Sequence, residues 1–152
     1  MKKLLILIPI IACYMAACDF ETSDNGDLDG YWQCRQIDTL ATGGTTDMRP
    51  ARIFLSVQAH MLEFRDNTRT DRNIIFRFEK AADILRLWNP VADNRQVSDS
   101  LIHNPQTLEC YAISDVTVKA DSTLETQFRI TDFSSDNMTL MNSKYRLHYR
   151  KY

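Results

Sequence analysis

The chain has 152 residues, 44% of them hydrophobic and 25% charged, with a formal net charge of −2. No basic surface with interleaved aromatics stands out, which excludes an electrostatic binder of nucleic acid. The length suits a single domain with a real hydrophobic core, not a string of domains.

The chain opens MKKLLILIPIIACYMAAC. Lys2 and Lys3 form a basic start, and an apolar run extends from Leu4 to Ala17. A membrane-spanning helix needs about 20 apolar residues, so this run is short for a span. A basic start, a short apolar run and small residues before a cut site predict a secretory leader over residues 1–17. Its loss makes the remaining chain more acidic. The next segment, 18–29, carries Asp19, Glu21, Asp24, Asp27 and Asp29 and few apolar residues. It cannot bury enough surface to offset its ordering entropy, so it reads as a solvated tether. The folded domain is expected over residues 30–152.

From Gly30 onward apolar residues recur every second position, the signal of half-buried strands. Ile53, Leu55 and Val57 alternate with Arg52, Phe54, Ser56 and Gln58. Leu62 and Phe64 follow, then Ile74, Phe76 and Phe78, then Leu85 and Leu87. Phe128 and Ile130, Met138 and Leu140, and Tyr145, Leu147 and Tyr149 repeat the pattern. Polar turns separate these runs at Ala59-His60, Arg65–Arg72, Ala82-Asp83, Ser135–Asn137 and Asn142–Lys144. One region breaks the rhythm, between Trp88 and Thr126. There Asn104-Pro105 predicts a helix start, with Asn as N-cap and Pro as first helical residue. One short helix is expected from Pro105 to about Cys110, and an extra strand around Val116 to Lys119. Sequential hairpins with short links predict an all-β fold, an up-and-down antiparallel barrel of about eight strands, which leaves no free sheet edge.

The inward faces of such a barrel either fill its interior or line a site for one small ligand. If the interior is open, its lining is Leu55, Val57, Phe64, Phe76, Phe78, Leu87, Phe128, Met138, Leu140 and Tyr149. The loop LATGGTTDMRP, residues 40–50, is a candidate lid, with Leu40 and Met48 able to cap a cavity. Cys34 and Cys110 are a candidate disulfide, worth roughly 4 kcal/mol for a loop of that length. The alternative is two separate buried thiols. His60, His103 and His148 show no ligand spacing, so no metal is expected. No nucleophile elbow or phosphate loop with its flanking strand and helix is present, so neither an enzyme nor a cofactor is expected.

Two resemblances sharpen this. Met15-Ala16-Ala17-Cys18 resembles the bacterial lipoprotein lipobox, which implies lipid attachment at Cys18 after cleavage. Ile10-Ile11-Ala12-Cys13 resembles it too, with a shorter apolar core, so Cys13 is the second candidate. Acidic residues after the lipidated Cys resemble surface-export signals of some Gram-negative lineages, whereas Asp19 directly after the Cys resembles the enteric inner-membrane retention signal. Gly30-Tyr31-Trp32 at the head of the first strand resembles the lipocalin Gly-x-Trp signature. In lipocalins a closing-strand Arg lies across that indole, a cation–π contact. The resemblance therefore implies barrel closure by Gly30, Trp32 and either Arg146 or Arg150. Taken whole, the layout resembles small lipocalin-like envelope lipoproteins of anaerobic gut bacteria. It implies a protein on the cell envelope, at the outer membrane, and with the apolar inward faces leads to the expectation of a monomer that binds a small apolar or amphipathic molecule. The alternative is a filled barrel that contacts an envelope protein partner.

Overall fold

The computed structural model describes residues 23–93 and 100–152. The leader, Cys13 and Cys18 lie outside them. The alternating stretches form the strands β1 (Gly30–Thr39), β2 (Gly44–Asp47), β3 (Ile53–Gln58), β4 (Met61–Asp66), β5 (Ile74–Ala81), β6 (Ile84–Ala92), β7 (Ser100–Leu101), β8 (Val116–Val118), β9 (Leu124–Phe133), β10 (Asn137–Met141) and β11 (Tyr145–Lys151). Pairing runs β6-β5-β4-β3-β1-β11-β10-β9, all antiparallel, and β6 pairs with β9 to close the ring. The result is the expected eight-stranded barrel. β2, β7 and β8 are short additions at one end, on the flanks of β1, β6 and β9.

The turns are tight but chemically unusual. Ala59 and Ala82 occupy the β3–β4 and β5–β6 turns at φ 50° and 52°, the left-handed region that Gly or Asn usually supplies. Asn89, at φ 52°, marks a bulge where the β5–β6 register shifts between Ile75 and Arg77. Bulges of this kind bend a strand and help a sheet curl into a barrel.

Period two sends one side-chain set inward. The ten residues expected to line an open interior are all there, but they pack against each other. Leu55, Leu87, Phe128, Met138 and Leu140 have 0% exposure, and Val57, Phe64, Phe76, Phe78 and Tyr149 are buried. A side chain on a cavity that admits water keeps some accessible surface, so these five face none. The interior around them is filled, the first of the two alternatives the inward faces allowed. Each such burial contributes roughly 1.5–3 kcal/mol.

Among apolar side chains, parity has one exception in the described ring strands. Phe54 lies on the outward face of β3 yet is buried. Tyr31 stacks on it at 4.5 Å, and the Tyr152 ring meets it edge-on at 5.7 Å. The aromatic stack supplies on the outside the cover that the core supplies within.

Candidate functional site

The two ends of the barrel are closed differently. At the first end, Trp32 enters from β1 with 0% exposure, and its indole N–H donates to the Leu28 carbonyl at 2.9 Å. Leu28 belongs to a 3-10 turn, Gly26–Leu28, and is itself fully buried. The acidic segment expected to be tether as far as residue 29 is therefore part of the fold by Leu28. Lys151 Nζ lies 5.0 Å from the centre of the Trp32 ring and donates to the Asp27 carbonyl at 2.8 Å.

This corrects the expectation for Arg146 and Arg150. Both are exposed on the outward parity of β11, whereas Leu147 and Tyr149 point inward. Lys151 shares their parity, so Lys151 and not an arginine reaches the indole. Gly30 explains the rest of the signature. Its φ is 130°, and a Cβ there would meet Lys151 Cε at 2.8 Å. The glycine leaves the corridor through which the lysine stem crosses to the ring.

The other end, the mouth, is closed by the connection between β7 and β8. Asn104 caps a 3-10 helix, Pro105–Tyr111, its side chain accepting from the Gln106 N–H at 3.0 Å. The helix and extra strand stand where the sequence placed them. Leu108, Tyr111 and Ile113 drop into the barrel and are buried. The Tyr111 ring lies 5.3 Å from that of Phe64. Three ties hold this plug: the Tyr111 hydroxyl donates to the Arg72 carbonyl at 2.9 Å, Asn142 Nδ2 donates to the Ala112 carbonyl at 2.7 Å, and the Asp115 carboxylate accepts from Ser143. Ala112 ends the helix in the left-handed region, at φ 57°.

The candidate lid takes another form. Gly43, at φ 68°, turns the chain so that β2 pairs with the outer half of β1. Met48 packs against the core, but Leu40 is exposed. The loop is a hairpin beside the mouth, and the plug covers the interior.

Beside the plug lies a pocket of about 270 Å³, lined by Asp71, Arg72, Asn73, Ile74, Ala92, Ile102, Thr107 and Cys110. Its size falls just under the roughly 300 Å³ at which ligand pockets usually begin. Three walls meet here: the β4–β5 loop, the ends of β5 and β6, and the plug. Sequence reasoning missed this set, Cys110 apart, because the residues come from separate segments with no shared period. The Asn104-Pro105 cap was the one local signal near it.

The candidate disulfide is absent. Cys34 and Cys110 are both free thiols, Cys34 buried and Cys110 exposed. Cys34 sits opposite Tyr149 in the β1–β11 ladder, inside the barrel, while Cys110 rides on the outer side of the plug. Burial pushes the Cys34 thiol up to about 12, so it stays protonated and inert.

One polar line on the outer surface resembles a hydrolytic triad. His148 Nε2 meets Asp38 Oδ2 at 2.8 Å, and His148 Nδ1 meets Thr139 Oγ1 at 3.4 Å. Thr139 is only 8% exposed on the outer face of the sheet, so a substrate carbonyl has no approach to its hydroxyl. The line ties β1, β11 and β10 together. His148 and Gln36 hydrogen bonds hold the Asp38 carboxyl below its usual range.

With a closed barrel, a Gly-x-Trp end and a cation over the indole in view, comparison with known proteins decides the family. The sequence model of the lipocalin-like domain matches residues 13–152. The chain belongs to the lipocalin-like domain family. Among solved structures it is similar to a lipocalin-like protein from Bacteroides uniformis ATCC 8492, with TM-score 0.56 and 16% identity over 84% of this chain and 100% of that one. It is also similar to an uncharacterized protein from Bacteroides eggerthii DSM 20697, with TM-score 0.48 and 15% identity over 82% of this chain and 98% of that one. No curated protein matches. Among the described residues the core lies from Leu28 to Tyr149, so residues 23–152 carry it whole. The fold is typically one that binds small molecules, without catalysis.

Proposed function

We propose that this lipocalin-like protein is a monomeric lipoprotein of the cell envelope, anchored through Cys18 at the outer membrane, that binds a small apolar or amphipathic molecule at its mouth. The supporting observation is the pocket beside the plug. Its lining combines the apolar Ile74, Ala92 and Ile102 with a few polar groups, the usual composition of a ligand site. A filled interior supports a site at this pocket over one on the barrel axis. The leader pattern supports the anchor. Two or three acyl chains, at about 0.8 kcal/mol per buried CH₂, hold a protein durably on a bilayer.

Native mass spectrometry of residues 23–152, isolated from a bacterial envelope without delipidation, tests the binding reading. A discrete added mass, lost on denaturation, is expected. A clean apo mass that persists after incubation with envelope lipids overturns it. For the anchor, metabolic palmitate labelling of the full chain is expected to survive Cys13→Ser and to vanish with Cys18→Ser.

One observation favours a second reading, a filled barrel that contacts an envelope protein partner. On the outer face Ile75, Val91 and Leu101 stand in register across β5, β6 and β7, with Leu101 exposed. An exposed apolar row suits a protein contact. Photo-crosslinking from position 101 in envelopes, yielding one discrete adduct alongside an apo mass, is the outcome that would favour it.

A further inference from the structure

The mouth pocket carries more chemistry than an apolar cleft requires. Arg72 lines it and, among the described residues, makes no ion pair. Asn73 lines it as well and is only 8% exposed. Its Oδ1 accepts from the Asp66 N–H at 3.2 Å, while its Nδ2 has no partner among the described residues. Asn73 Nδ2 is not among the buried atoms left without a partner, so it faces solvent and is open to a ligand's acceptor. A guanidinium without an ion pair and a free amide N–H line the same pocket as two donor groups. The rest of the lining includes the apolar Ile74, Ala92 and Ile102.

We infer that the mouth pocket takes an anionic amphiphile: a carboxylate or similar single anion, held by Arg72 and the Asn73 amide, on a compact apolar body lying over Ile74, Ala92 and Ile102. The volume of about 270 Å³ holds about nine non-hydrogen atoms at roughly 30 Å³ each, close to the ten of an eight-carbon acid. Asp71 also lines the pocket and would oppose an anion. At the Cys110 thiol burial raises the pKa, Arg72 pulls it back and the Asp66 carboxylate raises it, so Arg72 outweighs one acidic group at this wall rather than acting alone. Guanidinium–carboxylate hydrogen bonds are among the stronger polar contacts, and their fork geometry selects the anion over a neutral polar head.

This inference rests on the mouth being the binding site, and Cys110 allows the two to be tested separately. In residues 23–152 the other thiol, Cys34, is buried, so maleimide reacts at Cys110, in the pocket wall. Its labelling rate is followed against octanoate, octanol and octylamine. Octanoate is expected to slow labelling at least tenfold at saturation, with half-effect concentrations for octanol and octylamine roughly tenfold higher. Arg72→Gln brings octanoate to the level of octanol and leaves octanol unchanged. Arg72→Lys keeps most of the octanoate preference, because the charge remains. Equal protection by octanoate and octanol, indifferent to Arg72→Gln, overturns the anion assignment and leaves an apolar mouth site standing. No protection by any of the three probes overturns both.

Discussion

The closed end and the mouth seal the same barrel by different means. At the closed end the seal is built into the strands. Trp32 sits on β1, Lys151 on β11, and only the short turn ending at Leu28 is added. At the mouth the seal is a separate excursion of the chain, a 3-10 helix with its own cap and a left-handed exit. Strand-borne groups cannot leave without breaking the ladder that carries them. A plug held by a few side-chain ties can open while the ladder stays intact, as locally stable segments do. The division places rigidity at one end and the ligand-sized pocket at the other.

Mutations at the two ends test that division. Trp32→Ala removes a fully buried indole, its hydrogen bond and the surface under Lys151. It is expected to cost about 3–5 kcal/mol, as large-to-small aromatic changes do, and to lower urea and thermal midpoints for the whole barrel together. Leu108→Ala empties an equally buried site in the plug, but its cost is capped by the free energy of plug opening. About 2 kcal/mol is expected, with faster hydrogen exchange confined to the 100–115 segment. A uniform rise in exchange across all strands would show that plug and barrel unfold as one unit. Thiol counting gives a companion check, since Cys110 should react in the native barrel and Cys34 only after denaturation.

Gly30→Ala comes next, at about 1–3 kcal/mol for a left-handed backbone and a displaced lysine stem. Its effect should be smaller in a Lys151→Ala background, where the Cβ meets nothing long. Equal costs in both backgrounds would assign the penalty to the backbone alone. The same residues show how far the sequence could be read. Alternation located the ring strands because a two-sided sheet forces period two on every inward face. That parity also held the identity of the closing cation, since Lys151 falls in step with Leu147 and Tyr149. The family pattern of an arginine drew attention to Arg146 and Arg150, which are out of step. The β2 hairpin stayed hidden because Gly44–Asp47 is exposed along its whole length and carries no burial pattern. The pocket stayed hidden for a different reason: proximity of Arg72, Ile102 and Cys110 is a product of ring closure, which no local window contains. Whether the interior was full or open likewise depended on packing, and side-chain identity alone left both outcomes available.

The smallest expected effect concerns pH, and it again separates the ends. The Glu125 carboxyl, on β9, is held at about 2, below its ordinary 4.5, by hydrogen bonds from Arg86 and Lys119. Asp38, Asp47 and Asp121 are also held below their usual range, and all four stand on the mouth half of the barrel. A carboxyl depressed in the folded state adds stability above its unfolded value, and that stability is lost as pH falls through the folded one. The window for Glu125 therefore runs from about 4.5 down to about 2. The Glu125 pairs are largely solvated, so screening limits the contribution of that carboxyl to about 1 kcal/mol or less. Because Glu125 joins β6, β9 and the segment after β8, acid should loosen the mouth before the Trp32 end. Hydrogen exchange at pH 3 against pH 6 is expected to accelerate more over residues 116–126 than over 28–34. Glu125→Gln should remove most of that difference, and a variant that still shows it in full would locate the acid response in other groups.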